Sequence, residues 1–193
     1  MKERGFESYI SRYLNETAEI AEKVDRAIIA RMASMLAELR EIGGRLFILG
    51  VGGSAANASH AVNDFRKIAG IEAYAPTDNV AELTAWTNDE SWECVFARWL
   101  RGSKLNQKDV IMILSVGGGS ETASLNLVRA MEYAKERGAS IMAIVSRDGG
   151  KALELADAAV LVPVVSDERI TPHAEGWQAV IWHLLANCIA SNE

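Results

Sequence analysis

Arg45-Leu46-Phe47-Ile48-Leu49-Gly50-Val51-Gly52-Gly53-Ser54 opens with an unbroken apolar run and closes on a glycine turn that ends in a hydroxyl. An apolar run without polar alternation is what a strand needs when helices cover both faces of its sheet, as in parallel sheets. The glycines turn the chain, and Ser54 is placed to start a helix over 54–68. The same grammar recurs downstream. Asp109 to Ser115 leads to Gly117-Gly118-Gly119, Ser140 to Ser146 stops before Asp148-Gly149-Gly150, and Ala158 to Val162 stops at Pro163. Ile71 to Ala75 reads as one more strand, and helical stretches over 54–68, 120–137 and 175–190 separate the strands. Alternating strands and helices predict an α/β fold: a doubly wound, Rossmann-like, five-stranded parallel sheet with helices on both faces.

Upstream, apolar residues recur at helical spacing from Phe6 to Ile42 with no internal Gly or Pro, until Gly43-Gly44 ends the pattern. This predicts one long N-terminal helix or two in succession. The segment carries more apolar surface than one domain covers, so residues 1–42 are expected to serve self-association and residues 43–193 to form the ligand-binding core of a single domain.

Composition narrows the partners. The chain has 193 residues, 49% of them hydrophobic and 24% charged, and a net charge of −6. No Lys/Arg cluster is present to neutralise a row of phosphates, so nucleic acid is not an expected partner. The start of the chain lacks a secretory apolar segment and no apolar run is long enough to span a bilayer, which predicts a cytoplasmic protein with no membrane partner. The two cysteines, Cys94 and Cys188, lack CxxC spacing and read as reduced, buried thiols. The five tryptophans recur at helical spacing and read as core or interface anchors.

In a sheet of this kind ligands collect where the carboxyl ends of strands meet helix N-termini. Gly50 to Ser54 and Ser115 to Ser120 are two such turns, and each can offer backbone N–H groups and a helix dipole to an anion. Neither matches GxxxxGK[ST] or GxGxxG, so a small phosphate fits them better than a nucleotide. His60 and Asp64, four residues apart, share one face of the helix that begins near Ser54. That pairing suits either a surface hydrogen bond or a ligand site. His60 lies roughly 9 Å along the helix axis from the proposed phosphate, within reach of the far end of an extended sugar phosphate.

The stretch GVGGSAANASH (50–60) resembles the GNGGSxxDxxH signature of the phosphoheptose isomerases, which have a SIS (sugar isomerase) fold. The likeness extends to the N-terminal helix, Asn88-Asp89, the turn from Ser115, Arg147-Asp148-Gly149-Gly150 and the last helix. It implies that Gly52, Gly53, Ser54, Ser115, Gly117, Gly118 and Ser120 hold phosphate and that Asp89 meets the sugar. Val51 departs from the family Asn, and Val116 and Gly117 replace hydroxyl residues, so backbone donors or Thr122 must supply more of the grip.

By the same resemblance, His60, Asp64, Glu175 and His183 form a metal-binding set for a divalent ion, Zn²⁺ by the nature of its ligands. Asp64 stands for a family Glu and Glu175 for a family Gln. Eight helical residues span roughly 12 Å, so Glu175 and His183 can share an ion only if Glu175 lies at or before the helix end; His173 is the substitute. The resemblance further implies a homotetramer and an aldose–ketose isomerase acting on sedoheptulose 7-phosphate, with Asp64 as base, His183 as acid and Glu175 as the alternative base. The rivals are a non-catalytic SIS protein, either a sugar-phosphate sensor or a replication-initiator-binding adaptor, and an isomerase of another phosphosugar.

Overall fold

The computed structural model describes residues 3–191. The N-terminal periodicity resolves into two helices, α1 (Glu3–Lys23) and α2 (Arg26–Glu41). They are separated by Asp25, whose carboxylate accepts from the backbone N–H groups of Ala27 (2.8 Å) and Ile28 (3.2 Å) and so caps α2. Only the inner half of α1 is covered: Ile20 is buried, whereas Phe6 is 69% and Leu14 61% exposed. α2 is part of the core, burying Met32, Leu36 and Leu39. Each such side chain contributes roughly 1.5–3 kcal/mol by leaving water.

Five parallel strands follow: β1 (Arg45–Gly50), β2 (Glu72–Tyr74), β3 (Val110–Leu114), β4 (Ser140–Val145) and β5 (Ala158–Leu161). Their spatial order is β2-β1-β3-β4-β5. The order reverses between β1 and β3, which pair from Leu46 with Val110 to Gly50 with Leu114. Alternate residues of each strand serve opposite layers. Leu46 and Ile48 join a cluster with α2, α3 (Gly53–Lys67) and α8 (Ile170–Ala190). Phe47 and Leu49 join the cluster beneath α5 (Val95–Gly102), α6 (Leu125–Arg137) and α7 (Gly150–Leu155). The doubly wound parallel sheet expected from the sequence is therefore present. α4 (Val80–Asp89) lies beside this second layer with no fully buried residue.

At the amino ends of β1 and β3, Arg45 braces the sheet. Its Nη2 and Nε donate to Asp109 at 2.7 and 3.1 Å, and its Nη1 donates to the Ser103 carbonyl at 2.9 Å. The opposite, carboxyl ends of these strands carry the glycine turns.

Two boundaries differ from the sequence reading. Residues 120–124 form a bend rather than the first turn of a helix, so α6 starts at Leu125. Ser120 closes that bend instead: its Oγ accepts from the Ala123 N–H at 3.1 Å, a local bond that competes with helix formation. The last helix begins at Ile170, five residues earlier than expected, because Pro172 tolerates the first turn and nothing beyond interrupts it. Trp99, Trp177 and Trp182 are buried, Trp86 half-buried and Trp92 exposed; both cysteines are half-buried.

Candidate active site

The switch point between β1 and β3 leaves a crevice at the carboxyl end of the sheet, where doubly wound folds bind ligands. An open cavity of about 620 Å³ fills it. Its walls come from the turn after β1 (Val51, Ser54), the turn after β3 (Ser115 to Ser124), the turn after β4 (Arg147, Asp148) and Glu175 of α8. Gly53 is bare on the side that Glu175 approaches: a Cβ there would stand 2.5 Å from the Glu175 carboxylate. The N-terminus of α3, with its free N–H groups and positive dipole end, thus already faces an anion from the protein itself.

The turn after β3 is held from within. Ser115 is buried, and its Oγ accepts from the Gly118 N–H at 3.0 Å. Gly118 has φ +70°, and a Cβ on it would lie 1.9 Å from the Gly149 carbonyl oxygen. Only glycine fits, because the carbonyls of Gly118 and Gly119 accept from Ala152 N (3.0 Å) and Lys151 N (2.9 Å) at the start of α7. Two loops are thereby stapled into one wall. Ser124 completes this wall at the mouth of α6, with a left-handed φ of +53° and no bond from its side chain to the helix end.

A second cluster lies further along the same two helices. Ligand atoms of His60, Asp64 and His183 all lie within 4.8 Å of one another. His183 Nδ1 is 2.7 Å from the Ala179 carbonyl, which can only accept, so that nitrogen carries the proton. Its Nε2, 3.6 Å from Asp64 Oδ2, then presents a lone pair to the cluster. Asn63 Nδ2 donates to the other Asp64 oxygen at 2.8 Å and leaves Oδ2 facing the imidazole. Such bonds from carbonyl and amide groups are what orient imidazole and carboxylate ligands around a divalent ion. Trp182, fully buried, stacks on His183 with 3.5 Å between ring centroids and meets His60 edge-on. Two nitrogens and an oxygen with free lone pairs are a suitable donor set for such an ion.

The remaining expected residues fall elsewhere. Glu175 lies inside α8 rather than at its end, and its carboxylate is at Gly53 in the cavity, apart from the histidine cluster. His173, named as a substitute ligand, turns to the other side of α8, where its Nε2–H donates to Glu16 at 2.9 Å. Arg169 donates to the same carboxylate through Nε and Nη2, both at 2.8 Å. The Arg169 guanidinium first, and the His173 imidazole second, hold the Glu16 carboxyl down to about 2 from its ordinary 4.5. Asp89 is exposed at the end of α4, bonded to Asn88, and does not line the cavity. Gly52 and Thr122 are exposed at the turns, and Thr122 N donates to Ser120 Oγ at 3.3 Å. Gly117 and Ser120 line the cavity. Sequence reasoning passed over Ser124 and Arg147 as site residues. The signal for both was positional: each is a polar residue in a strand-to-helix turn on the ligand-binding edge.

The SIS-domain family model matches residues 9–146. The phosphoheptose isomerase of a Helicobacter pylori strain is 33% identical over 169 residues, covering 84% of this chain and 82% of the relative. That of a Nitratiruptor species is 38% identical over 151 residues, 75% of each chain. The solved structure of phosphoheptose isomerase GmhA from Neisseria gonorrhoeae is 26% identical with a TM-score of 0.83, and the match covers 96% of this chain and 99% of that one.

Proposed function

The chain belongs to the SIS-domain family and, within it, to the phosphoheptose isomerases, and from that premise we propose that it interconverts sedoheptulose 7-phosphate and D-glycero-D-manno-heptose 7-phosphate. The observation that carries this reading is the cavity at the β1/β3 switch point, walled by serine-bearing glycine turns and entered by one carboxylate of α8. An aldose–ketose isomerase must hold a distant phosphate and move a proton between C1 and C2. The cavity supplies a grip for the first and a base for the second.

The chemistry assigned to these side chains is proton transfer through an enediol. A carboxylate removes the proton from C1 of the ketose while the C2 oxygen gains one; the C1 hydroxyl then loses its proton and C2 receives one, giving the aldose. Glu175 is the better-placed base, because its carboxylate stands in the cavity beside Gly53 and Ser54. Asp64, the other candidate, is held between Asn63 and His183. His60, Asp64 and His183 would hold a divalent ion such as Zn²⁺, and such an ion supplies electrostatic stabilisation for oxygens that gain charge in the enediol. His183 Nε2 has the free lone pair required of either a ligand or a proton shuttle.

The exposed outer half of α1, with Phe6, Tyr9, Ile10 and Leu14 on its surface, supports a homo-oligomer in which a second copy covers this face; the family resemblance makes it a tetramer. No helix among the described residues is long and apolar enough to cross a membrane, and two half-buried cysteines without CxxC spacing fit a reducing cytoplasm.

Incubation of the purified protein with sedoheptulose 7-phosphate in D₂O tests the reading. Formation of the aldose with deuterium at C2 is expected. Absence of both turnover and exchange on this and other phosphosugars would replace the enzyme with a sugar-phosphate sensor or adaptor.

A further inference from the structure

Among the described residues, the cavity is lined by two carboxylates and one basic side chain, that of Arg147. Asp148 directs its Oδ1 to its own loop, accepting from the Gly150 N–H at 3.2 Å. Glu175 occupies the positive end of α3. A carboxylate at that helix end disfavours an incoming phosphate at the turn after β1 and favours the other wall, formed by the loops after β3 and β4. Arg147 belongs to the loop after β4, and its stem reaches the loop after β3.

Its backbone is unusual. Arg147 has φ +55°, a left-handed conformation that glycine adopts without cost and a long side chain does not. The conformation is enforced from several directions: Gly149 N donates to Ser146 O at 2.9 Å, Ser146 N donates to Val116 O at 3.0 Å, and Ser146 Oγ donates to Val162 O at 2.9 Å. A strained turn that carries arginine on a ligand-binding edge points to work done by the side chain. The stem of that side chain passes the turn after β3, with Cδ 4.0 Å from where a Cβ of Gly117 would stand. Gly117 and Val116 are where hydroxyl residues are missing relative to the family pattern. The guanidinium brings five donors to this stretch of the wall. Among the described residues the Arg147 side chain makes no hydrogen bond or ion pair, so its donors remain available.

We propose that Arg147 binds the phosphate of the substrate alongside the serines of the turn after β3. This rests on the sugar-phosphate isomerase reading only for the identity of the substrate; the anion site stands on its own geometry. The phosphate end then lies against Arg147 and Ser120, and the reacting carbons extend toward Glu175, which fixes the direction in which the sugar enters.

The test compares wild type with Arg147→Gly and Arg147→Lys, using calorimetry with inorganic phosphate and steady-state kinetics with sedoheptulose 7-phosphate. Loss of a charge-assisted contact predicts that Arg147→Gly weakens phosphate binding and raises KM by about tenfold or more, with kcat nearly unchanged. Its melting temperature should not fall, since glycine relaxes the turn. Arg147→Lys should restore part of the affinity, as a point charge without the planar fork. Equal phosphate affinity and equal KM in wild type and Arg147→Gly would overturn the proposal, even if both are active isomerases. Loss of phosphate binding in Arg147→Gly, from a wild type that turns over no phosphosugar, would instead uphold the anion site and remove the isomerase.

Discussion

Glu16 and Arg169 meet across 153 residues of sequence through two hydrogen bonds of 2.8 Å, and this fork ties α1 to the entry of α8. With His173 as a third partner, the carboxylate is ionised well below its ordinary range. A carboxyl whose pKa is lower in the folded state stabilises the fold above its unfolded pKa, and that contribution fades as pH falls through the folded value. Here the window runs from 4.5 down to about 2. Glu16→Gln should lower the melting temperature at neutral pH, and the difference from wild type should shrink as the pH is taken down through that window. Parallel curves at every pH would show that the pair does not couple to folding.

The histidine cluster predicts metal content. Wild type prepared without chelator should carry about one divalent ion per chain, and His60→Ala and His183→Asn should each lose it. Because the Glu175 carboxylate lies at Gly53, Glu175→Gln should retain the ion. Elemental analysis reads all four proteins; loss of metal from Glu175→Gln would restore the four-ligand set that the family resemblance implies.

The assignment of the base separates in the same variants. Glu175→Gln should slow turnover and C1 exchange together by about 10²–10⁴-fold with the metal in place. Asp64→Asn should lose activity in proportion to lost metal. Full exchange in Glu175→Gln would transfer the base role to Asp64.

Gly118→Ala tests how tightly the two loops are stapled. The left-handed backbone alone costs roughly 1–3 kcal/mol with a side chain. The clash with Gly149 adds to this, since a Cβ would stand 1.9 Å from that carbonyl. Denaturant unfolding should show a clear loss of stability, and phosphate affinity should fall with it as the wall opens. Wild-type behaviour in both would show that the loops part easily.

Charged residues on the bare face of α1 should dissociate the proposed homo-oligomer. Phe6→Asp combined with Leu14→Asp leaves the buried Ile20 and the whole of α2 untouched, so folding should persist while sedimentation shows a smaller species. Removing residues 1–40 outright is a poorer test, because Met32, Leu36 and Leu39 belong to the core.

The sheet was legible because its signal is local: the apolar run Leu46 to Leu49 and its repeats leave little choice but buried parallel strands. The trio His60, Asp64 and His183 was legible in part. The first two follow from helical spacing, but the third needed either the fold or the family resemblance to bring α8 beside α3. What stayed hidden depends on a single torsion or a side-chain direction. Nothing in the residue string says that Ser124 and Arg147 adopt positive φ, or that Glu175 turns toward Gly53 instead of toward His183. The late start of α6 was missed for a related reason, since Ser120 reads equally well as a helix cap and as the hinge of a bend.

The brace of Arg45 on Asp109 sits at the end of β1 and β3 far from every residue assigned to binding or proton transfer. Robustness and reactivity are thus carried by opposite ends of the same two strands. Side chains that line the cavity from the loops over 51–54, 115–124 and 147–150 can change without loosening the lock beneath them. A change of side chain at the ligand-binding end therefore leaves the Arg45–Asp109 lock at the other end of the sheet in place.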